Sequence, residues 1–583
     1  MLYKSVTNLT VGYLKMQICY IWTDKFKSLH DYSLNLSNDH EFNYCSYKNK
    51  LSKIDKTSFP KDFFGDKISS LSALIGINGA GKTTALELIC RCISEHYYFK
   101  QEYILVYKID NDIYLSTNLK MEFEVDFDFT PDSNNERLTK INPIFFSNVF
   151  DNNHIEFNKS VIDLSTNRKL SSRYRYNNRI NYKNDEWKTP EEKKGELENE
   201  ICFLNSNESS HIIEKKPKKI RYEIFRQSNI YLRRFIKRRS QINTKEADYE
   251  IDKRNYLADY LRELFIKERN LTFVREGYEN SISMLFLQQL LVGLTLNHED
   301  GDRICDLILN EIRNEDIGTV EILKVILDKS EDSPIYLGTH SLKEIFDYIL
   351  IRLNEFFREA NLEIDNSINN SKYSLVLDFN DNNSWHHEKI CNVFESIFEV
   401  NVSWHGISSG QKAYINMFSS IWNCIENKRF DRESGHAIIC IDEGDLYLHP
   451  QWQVEFVEKL IQSLPTISNT KVQIILTTHS PLLVSDIPKQ CITLLNSDTK
   501  NEVSNNIGTS LQSFGANLYD IYDLSFGLNG LRSGNLSTKY INDVISIIDK
   551  EVINKNEIRR LKEALVIIDD EIIAHHIKKR VDY

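Results

Sequence analysis

The sequence lacks the marks of a secreted, membrane-spanning or zinc-binding protein. Its ten cysteines are scattered and none forms a Cys-x-x-Cys pair, so we interpret them as reduced core residues rather than a disulfide framework or a zinc site. No run approaches the ~20 apolar residues of a membrane span, and the first residues carry no signal-peptide apolar core. We therefore expect a cytoplasmic protein without membrane contact.

An excess of positive charge is missing as well. Lysine and arginine total 72 against 84 aspartates and glutamates, which gives a formal net charge of −12. The molecule as a whole is therefore not a general polyanion binder, and any nucleic-acid contact must come from a local patch. At 583 residues, 41% of them hydrophobic, the chain is too long for one core, so we expect more than one domain.

A complete phosphate-binding loop is present near the start. Residues 76–84, GINGAGKTT, fit the pattern G-x-x-x-x-G-K-[ST] at every fixed position. The apolar run 68–75 predicts a strand before the loop, and residues 85–94 predict a helix after it. The backbone N–H groups of such a turn cradle phosphate oxygens. The loop residues expected to hold nucleotide are Asn78, Gly79, Ala80, Gly81, Lys82, Thr83 and Thr84.

ATP and Mg²⁺ are the expected ligands of this loop. Lys82 should reach the β- and γ-phosphates, and the hydroxyl of Thr83 should bind Mg²⁺. The alternative is a glycine-rich turn that binds nothing. The full pattern and its strand–loop–helix context favour the phosphate loop.

Two later strands end in residues that carry chemistry. Residues 437–443, AIICIDE, predict a buried strand that presents Asp442 and Glu443 at its carboxyl end, where open α/β sheets bind ligands. Asp442 suits Mg²⁺, and Glu443 suits a base for the attacking water. Residues 473–481, QIILTTHSP, predict a second buried strand that ends in His479. This histidine could bond a γ-phosphate, although a lone histidine after a strand is more often structural.

A loop before the Asp-Glu strand completes the set. Residues 404–411, WHGISSGQ, open a helical stretch from 412 to 426. The loop resembles the L-S-G-G-Q signature of ABC-type ATPases, with Ile407 for Leu and Ser409 for the first Gly. The motifs of that clan follow one another in the same order: phosphate loop, long insertion, signature, Asp-Glu strand, and a strand ending in His. The insertion resembles the SMC-like branch, in which an arm splits the ATPase into two lobes.

This resemblance implies a fold class and a mechanism. The fold would be α/β, an ABC-type ATPase head with a mixed sheet flanked by helices, split by a largely helical insertion domain. Two protomers would dimerise head to tail around ATP and hydrolyse it slowly. Lys82, Thr83, Asp442 and Glu443 would serve one site, while the partner's signature would close over it and His479 would sense the γ-phosphate. The signature residues implied to bind nucleotide are Ser408, Gly410 and Gln411.

Finer features narrow the branch to anti-phage ATPases. Residues 444–452, GDLYLHPQW, resemble overcoming-lysogenization-defect and related defence ATPases, with His449 where transporters have Asp. Residues 511–528 resemble the tail of PtuA-like ATPases of Septu and Septu-like retron systems. That likeness implies an HNH-type, PtuB-like nuclease partner and, in retrons, a reverse transcriptase with its RNA–DNA product. The clan's Q-loop glutamine is missing; Ser147 or Asn148 either replaces it near Mg²⁺ or is structural.

The expected domains follow from the motif positions and from composition. Residues 1–165 form the first ATPase lobe, 166–370 the helical and basic insertion, 371–500 the second lobe, and 501–583 a helical tail. Inside the insertion, basic residues from Lys215 to Arg239 are interleaved with aromatics. A basic helix of this kind suits a nucleic-acid backbone. The alternative is a solvated, salt-bridged surface, since acidic residues lie nearby.

Three smaller expectations concern single segments. Residues 17–22 and 32–36 should be strands that pair beside the phosphate-loop strand. The alternation in 121–129 predicts a half-exposed strand. His386-His387 lacks the rest of an HNH pattern, and we expect it at the surface.

Three other functions compete with a defence ATPase that controls a separate nuclease. An SMC-like DNA-repair ATPase is disfavoured because no long coiled coil is present. A transporter motor is disfavoured by His449 and by the large insertion. A self-contained nuclease is disfavoured because neither a TOPRIM nor an HNH constellation is found, so we expect no intrinsic nuclease activity.

Overall fold

The structure is a computed structural model with strands and helices in alternation. This mixed composition confirms the α/β expectation. The structure describes residues 16–168, 196–225, 255–268, 278–353, 362–364, 372–397, 400–426, 436–467, 471–495 and 511–582, with short gaps inside several of these ranges.

The first described segment is mostly strand. Its long helix, α1 (Lys82–Ser94), begins directly after the phosphate loop. The strands are β1 (Met16–Phe26), β2 (Leu29–Asn35), β3 (His40–Cys45), β4 (Lys50–Asp55), β5 (Ile68–Gly76), β6 (Tyr103–Ile109), β7 (Asp112–Thr117), β8 (Glu124–Val125), β9 (Thr130–Pro131), β10 (Ile144–Ser147) and β11 (Ile162–Asp163).

In the described parts of 196–353 most residues are helical, including residues 255–268. The elements with defined bounds are α2 (Glu196–Asn205), α3 (Ser209–Ile212), β12 (Lys219–Phe225), α4 (Tyr278–Leu296), α5 (Gly301–Ile312), α6 (Thr319–Asp328), β13 (Tyr336–Leu337), β14 (His340–Ser341), α7 (Leu342–Asp347) and a π-helical turn at Tyr348–Leu353.

Strands return in the last part of the chain and give way to helices at its end. The elements are β15 (Leu362–Ile364), β16 (Lys372–Asp378), α8 (Ser384–Ile397), β17 (Val400–His405), α9 (Ser409–Glu426), β18 (His436–Asp442), α10 (Pro450–Ile467), β19 (Lys471–Thr477), α11 (Pro481–Val484), a 3₁₀ turn at Lys489–Cys491, β20 (Ile492–Leu495), α12 (Leu518–Phe526), α13 (Asn535–Ile548), α14 (Lys555–Ile567) and α15 (Glu571–Val581).

A six-stranded sheet, in the order β11-β10-β18-β19-β5-β20, carries the motifs. Its recorded pairings are all parallel. Every residue of β5 and β18 is buried, which explains their unbroken apolar sequences. The three motif strands β5, β18 and β19 are neighbours, so the phosphate loop, Asp442 and His479 emerge at the same edge.

The first two strands do not lie where the sequence suggested. Strands β1 and β2 pair with each other, but in a separate sheet of order β2-β1-β6-β7-β9. The expectation that they lie beside the phosphate-loop strand is wrong, because β19 and β20 already occupy both edges of β5. Helix α1 packs between the two sheets: Leu86 and Ile89 share a core with Ile18 of β1 and Ile438 of β18.

The strand expected over 121–129 is much shorter in the structure. Only Glu124–Val125 is strand, and it pairs in parallel with the start of β4. The alternation still has its predicted meaning, because Phe123, Val125 and Phe127 pack on the core of Phe42 and Tyr44. The inward face is thus preserved although most of the backbone pairing is not.

A four-stranded sheet, β15-β16-β12-β17, contains strands from both the expected insertion and the expected second lobe. Strand β12 pairs antiparallel with β16 on one side and β17 on the other. A basic helix through Lys215–Arg239 is therefore wrong for residues 219–225, where β-branched and aromatic residues occupy a central strand. The second basic peak, 233–239, lies outside the described residues.

His387 is buried, so its expected surface position is also wrong. Its Nδ1 lies 2.6 Å from Tyr222 Oη, and its Nε2 lies 2.9 Å from the carbonyl oxygen of Asp378. The neutral ring that donates from Nε2 and accepts at Nδ1 satisfies both contacts. Burial lowers the pKa of His387 to about 4.

The last three helices have a small core of their own. Val544, Leu561, Ala564 and Ile577 are among its buried residues. No helix in the described ranges combines the length and apolar character that membrane crossing requires.

The buried histidine predicts a pH dependence of stability. The pKa of His387 is about 4 in the folded chain, against an ordinary value of 6.5. Between these two pH values, the unfolded chain binds a proton at residue 387 that the folded chain does not. The free energy of unfolding therefore falls as pH falls through this interval, by about 1.4 kcal/mol per pH unit for one group. Urea unfolding between pH 7 and 4.5 should show His387→Gln with a shallower slope than the wild type.

The matched control is His575→Gln, at an exposed position of α15. Identical slopes for the wild type and His387→Gln would contradict the assignment of this dependence to His387.

Candidate nucleotide-binding site

The phosphate loop has the backbone that its glycines allow. Gly79 and Gly81 adopt φ of 81° and 87°, the left-handed region that a Cβ disfavours. A Cβ on Gly81 would also lie 3.0 Å from the side chain of Leu29, the first residue of β2. Gly81 immediately precedes α1, and Ile77 to Gly79 are exposed. The loop is thus an open turn at a helix N-terminus, suited to an anion.

Lys82 is largely buried beside this turn. Its Nζ donates to the carbonyl oxygens of Gly76 at 3.2 Å and Ile77 at 3.4 Å. Burial lowers the pKa of Lys82, while Glu443 and Asp442 oppose that shift. The ammonium group is therefore held over its own loop and close to two carboxylates.

Asp442 is the best-anchored residue of the site. Thr83 Oγ1 donates to its carboxylate, at 3.0 Å from Oδ2. Thr477 Oγ1 donates to Oδ1 at 2.8 Å, and Ser147 Oγ lies 3.3 Å from Oδ2. Three hydroxyls, from α1, β19 and β10, thus converge on one carboxylate.

The electrostatics of Asp442 reflect a contest between burial and these donors. Burial raises the pKa of Asp442, whereas the hydroxyls of Thr477, Thr83 and Ser147 and the charge of Lys82 oppose the rise. A hydroxyl and a carboxylate are hard oxygen ligands, which Mg²⁺ prefers in company with phosphates and waters. The donor set therefore fits Mg²⁺.

Glu443 and His479 lie side by side next to Asp442. His479 Nε2 is 3.6 Å from Glu443 Oε1. Burial raises the pKa of Glu443, and the negative charge of Asp442 adds to the rise. Burial lowers the pKa of His479, and the positive charge of Lys82 adds to the fall. Glu443 has φ of 46°, a backbone conformation that costs energy and occurs often at functional sites. A carboxylate with a raised pKa suits a general base.

A second carboxylate–threonine pair fastens the same two strand ends. Thr478 Oγ1 donates to Asp445 Oδ2 at 2.9 Å and accepts from the backbone N–H of Ser480 at 2.9 Å. Burial raises the pKa of Asp445 to about 6. Together with the Thr477–Asp442 bond, this pair fixes the backbone that carries His479.

The signature loop lies at the start of α9. Ser408 Oγ accepts from the backbone N–H of Gln411 at 3.1 Å, and Gln411 Nε2 donates to the carbonyl oxygen of Lys215 at 3.1 Å. A Cβ on Gly410 would lie 2.5 Å from the carbonyl oxygen of Tyr447. In the described part of the chain, Gln411 bonds to residue 215, Gly410 lies against 447–448, and Ser408 bonds within its own turn.

The structure thus gathers one group of predicted residues and leaves another apart. Lys82, Thr83, Asp442, Glu443 and His479 meet at the sheet edge. Gly410 and Gln411 lie against other parts of the chain, and Ser408 bonds to Gln411.

Sequence reasoning missed Thr477, Thr478 and Asp445. The available signal was the pair of threonines that directly follows the apolar run 474–476. The sequence left open whether Ser147 or Asn148 lies near Mg²⁺ or is structural. Ser147 faces Asp442, while Asn148 Nδ2 lies 3.5 Å from the carbonyl oxygen of Gly444.

Most of the chain matches one known protein family. The family model described as AAA ATPase domain covers residues 16–484. All of the converging residues fall inside this range, and helices α12 to α15 follow it.

Curated relatives match short parts of the chain. It is 37% identical over 98 residues to "Retron Vc95 probable ATPase" of Vibrio cholerae serotype O1 biovar El Tor, across 16% of this chain and 18% of that protein. It is 40% identical over 84 residues to "Septu protein PtuA" of Bacillus thuringiensis, across 13% and 20%. The chain spans about a fifth of the length of these relatives. The matches confirm the resemblance to Septu and retron ATPases.

One solved structure is similar over most of its length. The recombination mediator protein RecF is 12% identical, with 80% of this chain and 94% of that chain covered, at a TM-score of 0.22. A score this low carries no argument about the present chain.

The hydroxyl of Thr477 predicts a test of the site's assembly. Thr477→Val removes the donor to Asp442 Oδ1 and the acceptor for the backbone N–H of Glu443, which lies at 3.0 Å. Leaving buried polar groups unpaired costs about 1–3 kcal/mol, so urea unfolding should show a loss of that size. Thr477→Ser keeps the hydroxyl and is the matched control. Equal stability of the valine and serine variants would contradict the proposed anchoring.

Proposed function

Because the chain belongs to the AAA ATPase domain family, we propose that it binds Mg²⁺–ATP at the edge of its parallel sheet and hydrolyses it slowly. The observation that carries the proposal is the convergence of Thr83 Oγ1 on Asp442 at 3.0 Å, with Lys82 and Glu443 beside them. Phosphate-loop backbone, a lysine, a hydroxyl and two carboxylates are what phosphoryl transfer to water requires.

Lys82 and the loop hold the phosphates in this proposal. Lys82 would exchange the carbonyl oxygens of residues 76 and 77 for β- and γ-phosphate oxygens. Loop backbone from Asn78 to Thr84 would contribute N–H donors at the helix end. Thr83 and Asp442 would hold Mg²⁺, which supplies charge neutralisation between the phosphates. Ser147 and Thr477 keep the carboxylate of Asp442 aimed at that position.

Glu443 and His479 act on the water side. Glu443 would accept the proton of the attacking water, and its raised pKa brings its basicity nearer to neutral pH. His479, whose lowered pKa favours the neutral ring at pH 7, would donate a hydrogen bond to the γ-phosphate. The 3.6 Å spacing of these two side chains leaves both within reach of one water.

Two copies would share each ATP. Gln411 bonds to residue 215, Gly410 lies against residues 447–448, and Ser408 bonds to Gln411. We therefore assign these three residues to the nucleotide of a second protomer. The interface would be isologous, with each signature covering the partner's phosphate loop. Loss of the γ-phosphate after hydrolysis would release it.

A variant that lacks the proposed general base, and should therefore stay in the ATP-bound dimer, tests this mechanism. Glu443→Gln keeps the shape of the side chain but cannot accept a proton, so ATP turnover should fall about 100-fold or more. The variant should elute as an ATP-dependent dimer in size-exclusion chromatography with light scattering. Turnover is followed by phosphate release.

Lys82→Ala is the paired control and should bind no nucleotide and remain undimerised. An unchanged turnover rate in Glu443→Gln would remove Glu443 from the proposed chemistry.

A partner nuclease completes the proposal. The relatives are named as Septu and retron proteins, and we propose that this chain controls a separate HNH-type nuclease in anti-phage defence. The turn between α14 and α15 offers a contact surface: Val566 is 86% exposed, Ile572 is 72% exposed, and residues 569–571 are Asp-Asp-Glu. Apolar side chains beside acidic ones suit a partner surface whose apolar residues are flanked by lysine or arginine.

Copurification from the native operon tests the partner. Tagged full-length chain should retain an HNH-type nuclease, identified by mass spectrometry, and Val566→Ser with Ile572→Ser should retain at least about tenfold less, the loss of ~1.4 kcal/mol. Val552→Ser, an equally exposed valine at the α13–α14 turn, is the control. Equal retention by all three proteins would contradict this surface.

Nucleic acid is the remaining proposed partner. The basic segment Lys215–Arg239 would contact DNA, RNA or, in a retron, the RNA–DNA product of a reverse transcriptase. In its described part, Lys215 and Lys218 are exposed while Lys216 Nζ donates to the carbonyl oxygen of Leu204. An SMC-like DNA-repair ATPase is the alternative function, and DNA-stimulated turnover without any nuclease partner would favour it.

A further inference from the structure

Helix α12 belongs physically to the ATPase head although the family match ends at residue 484. The backbone N–H of Gly515 donates to the carbonyl oxygen of Ser485 at 2.8 Å. Ile521 is fully buried within the same core as β5 and α11. Residues 511–526 are therefore anchored at both the backbone and the side-chain level next to α11, which begins two residues after His479.

One residue of α12 lies against His479 itself. The ring of Phe526 is 6.3 Å from the imidazole ring, with 40° between the two planes. This separation is within the usual range for interacting aromatic rings. The imidazole Nε2 lies 3.6 Å from Glu443 Oε1. The ring of His479 thus has a carboxylate at one nitrogen and an aromatic ring as its packing neighbour.

Phe526 is in turn supported by its own helix. The ring of Tyr522, one turn earlier, lies 6.0 Å from that of Phe526 at 60°. The hydrogen bonds that hold this region, Thr477–Asp442 and Thr478–Asp445, fix the backbone before His479 but not the torsion of its side chain. Glu443 and Phe526 both lie against the imidazole.

We propose that Phe526 is a positioning residue for ATP hydrolysis, which holds the His479 ring in the orientation that faces Glu443 and the γ-phosphate. The inference rests on the proposed function. It makes α12, which lies after the end of the family match at residue 484, a part of the nucleotide site. Functional side chains must be held within about 0.5 Å of their working geometry by packed neighbours. Without Phe526, the imidazole would rotate among its staggered positions.

Kinetics of the full-length protein test the proposal. Phe526→Ala should lower kcat about 10- to 100-fold, the usual effect of misplacing a reacting group by about 1 Å, while the Kd for ATP stays within about twofold. Phe526→Tyr keeps an aromatic ring and should retain most of the turnover. Phe514→Ala is the matched control, because its ring lies on the same segment but packs on Phe63 at 5.7 Å, away from His479.

A double-mutant cycle separates positioning from a general loss of stability. If Phe526 acts through His479, the variant with both Phe526→Ala and His479→Ala should turn over no more slowly than His479→Ala alone. The proposal would be overturned if the losses of turnover in the two single variants added fully in the double variant. It would also be overturned if Phe526→Ala lost no more turnover than Phe514→Ala.

A spectroscopic readout keeps the inference distinct from the proposed function. In protein labelled with ¹³C-histidine, the His479 ring resonance, assigned by His479→Gln, should shift in Phe526→Leu because the ring current of Phe526 is removed. If the wild-type protein showed no ATP turnover, the proposed function would fail. The resonance shift would then still test whether Phe526 contacts His479. An unchanged resonance in Phe526→Leu would overturn it.

Discussion

The site depends on the burial of one carboxylate. Asp442 is 1% exposed, and an ionised carboxylate in such a place is costly unless donors surround it. Thr83, Ser147 and Thr477 supply those donors from three different elements. Each of these bonds also ties a separate piece of the chain to the end of β18. The need to satisfy Asp442 therefore brings the phosphate loop, β10 and β19 to one point.

The parallel sheet makes this convergence possible. Strands β10, β18, β19 and β5 are consecutive and parallel, so all four present their carboxyl ends at the same edge. The register sets Ser147 directly opposite Asp442. The proposed metal-binding residue and the proposed general base are adjacent, because Asp442 ends the strand and Glu443 begins the turn at φ of 46°. One strand end would thereby serve two chemical functions.

Much of this site could be predicted from local patterns. The phosphate loop, the apolar strand before Asp442 and the strand before His479 are short contiguous signals, and each lies where its pattern indicated. Contacts between distant segments left no such signal. The pairing of β12 with β16 and β17, the exclusion of β1 from the β5 sheet, and the packing of Phe526 on His479 all depend on which partners compete for an edge or a face. The signature residues are a third case, since the contacts proposed for them require a second chain.

The central claim is that Lys82, Thr83 and Asp442 form one Mg²⁺–ATP site. The most direct measurement is a structure of the full-length protein with Mg²⁺ and a non-hydrolysable ATP analogue. The account predicts the metal about 2.1 Å from Thr83 Oγ1, Lys82 Nζ moved from the carbonyl oxygens of residues 76 and 77 to the phosphates, and the signature of a second copy over the nucleotide. Nucleotide bound elsewhere, or a metal coordinated without Thr83 and without a water held by Asp442, would contradict it.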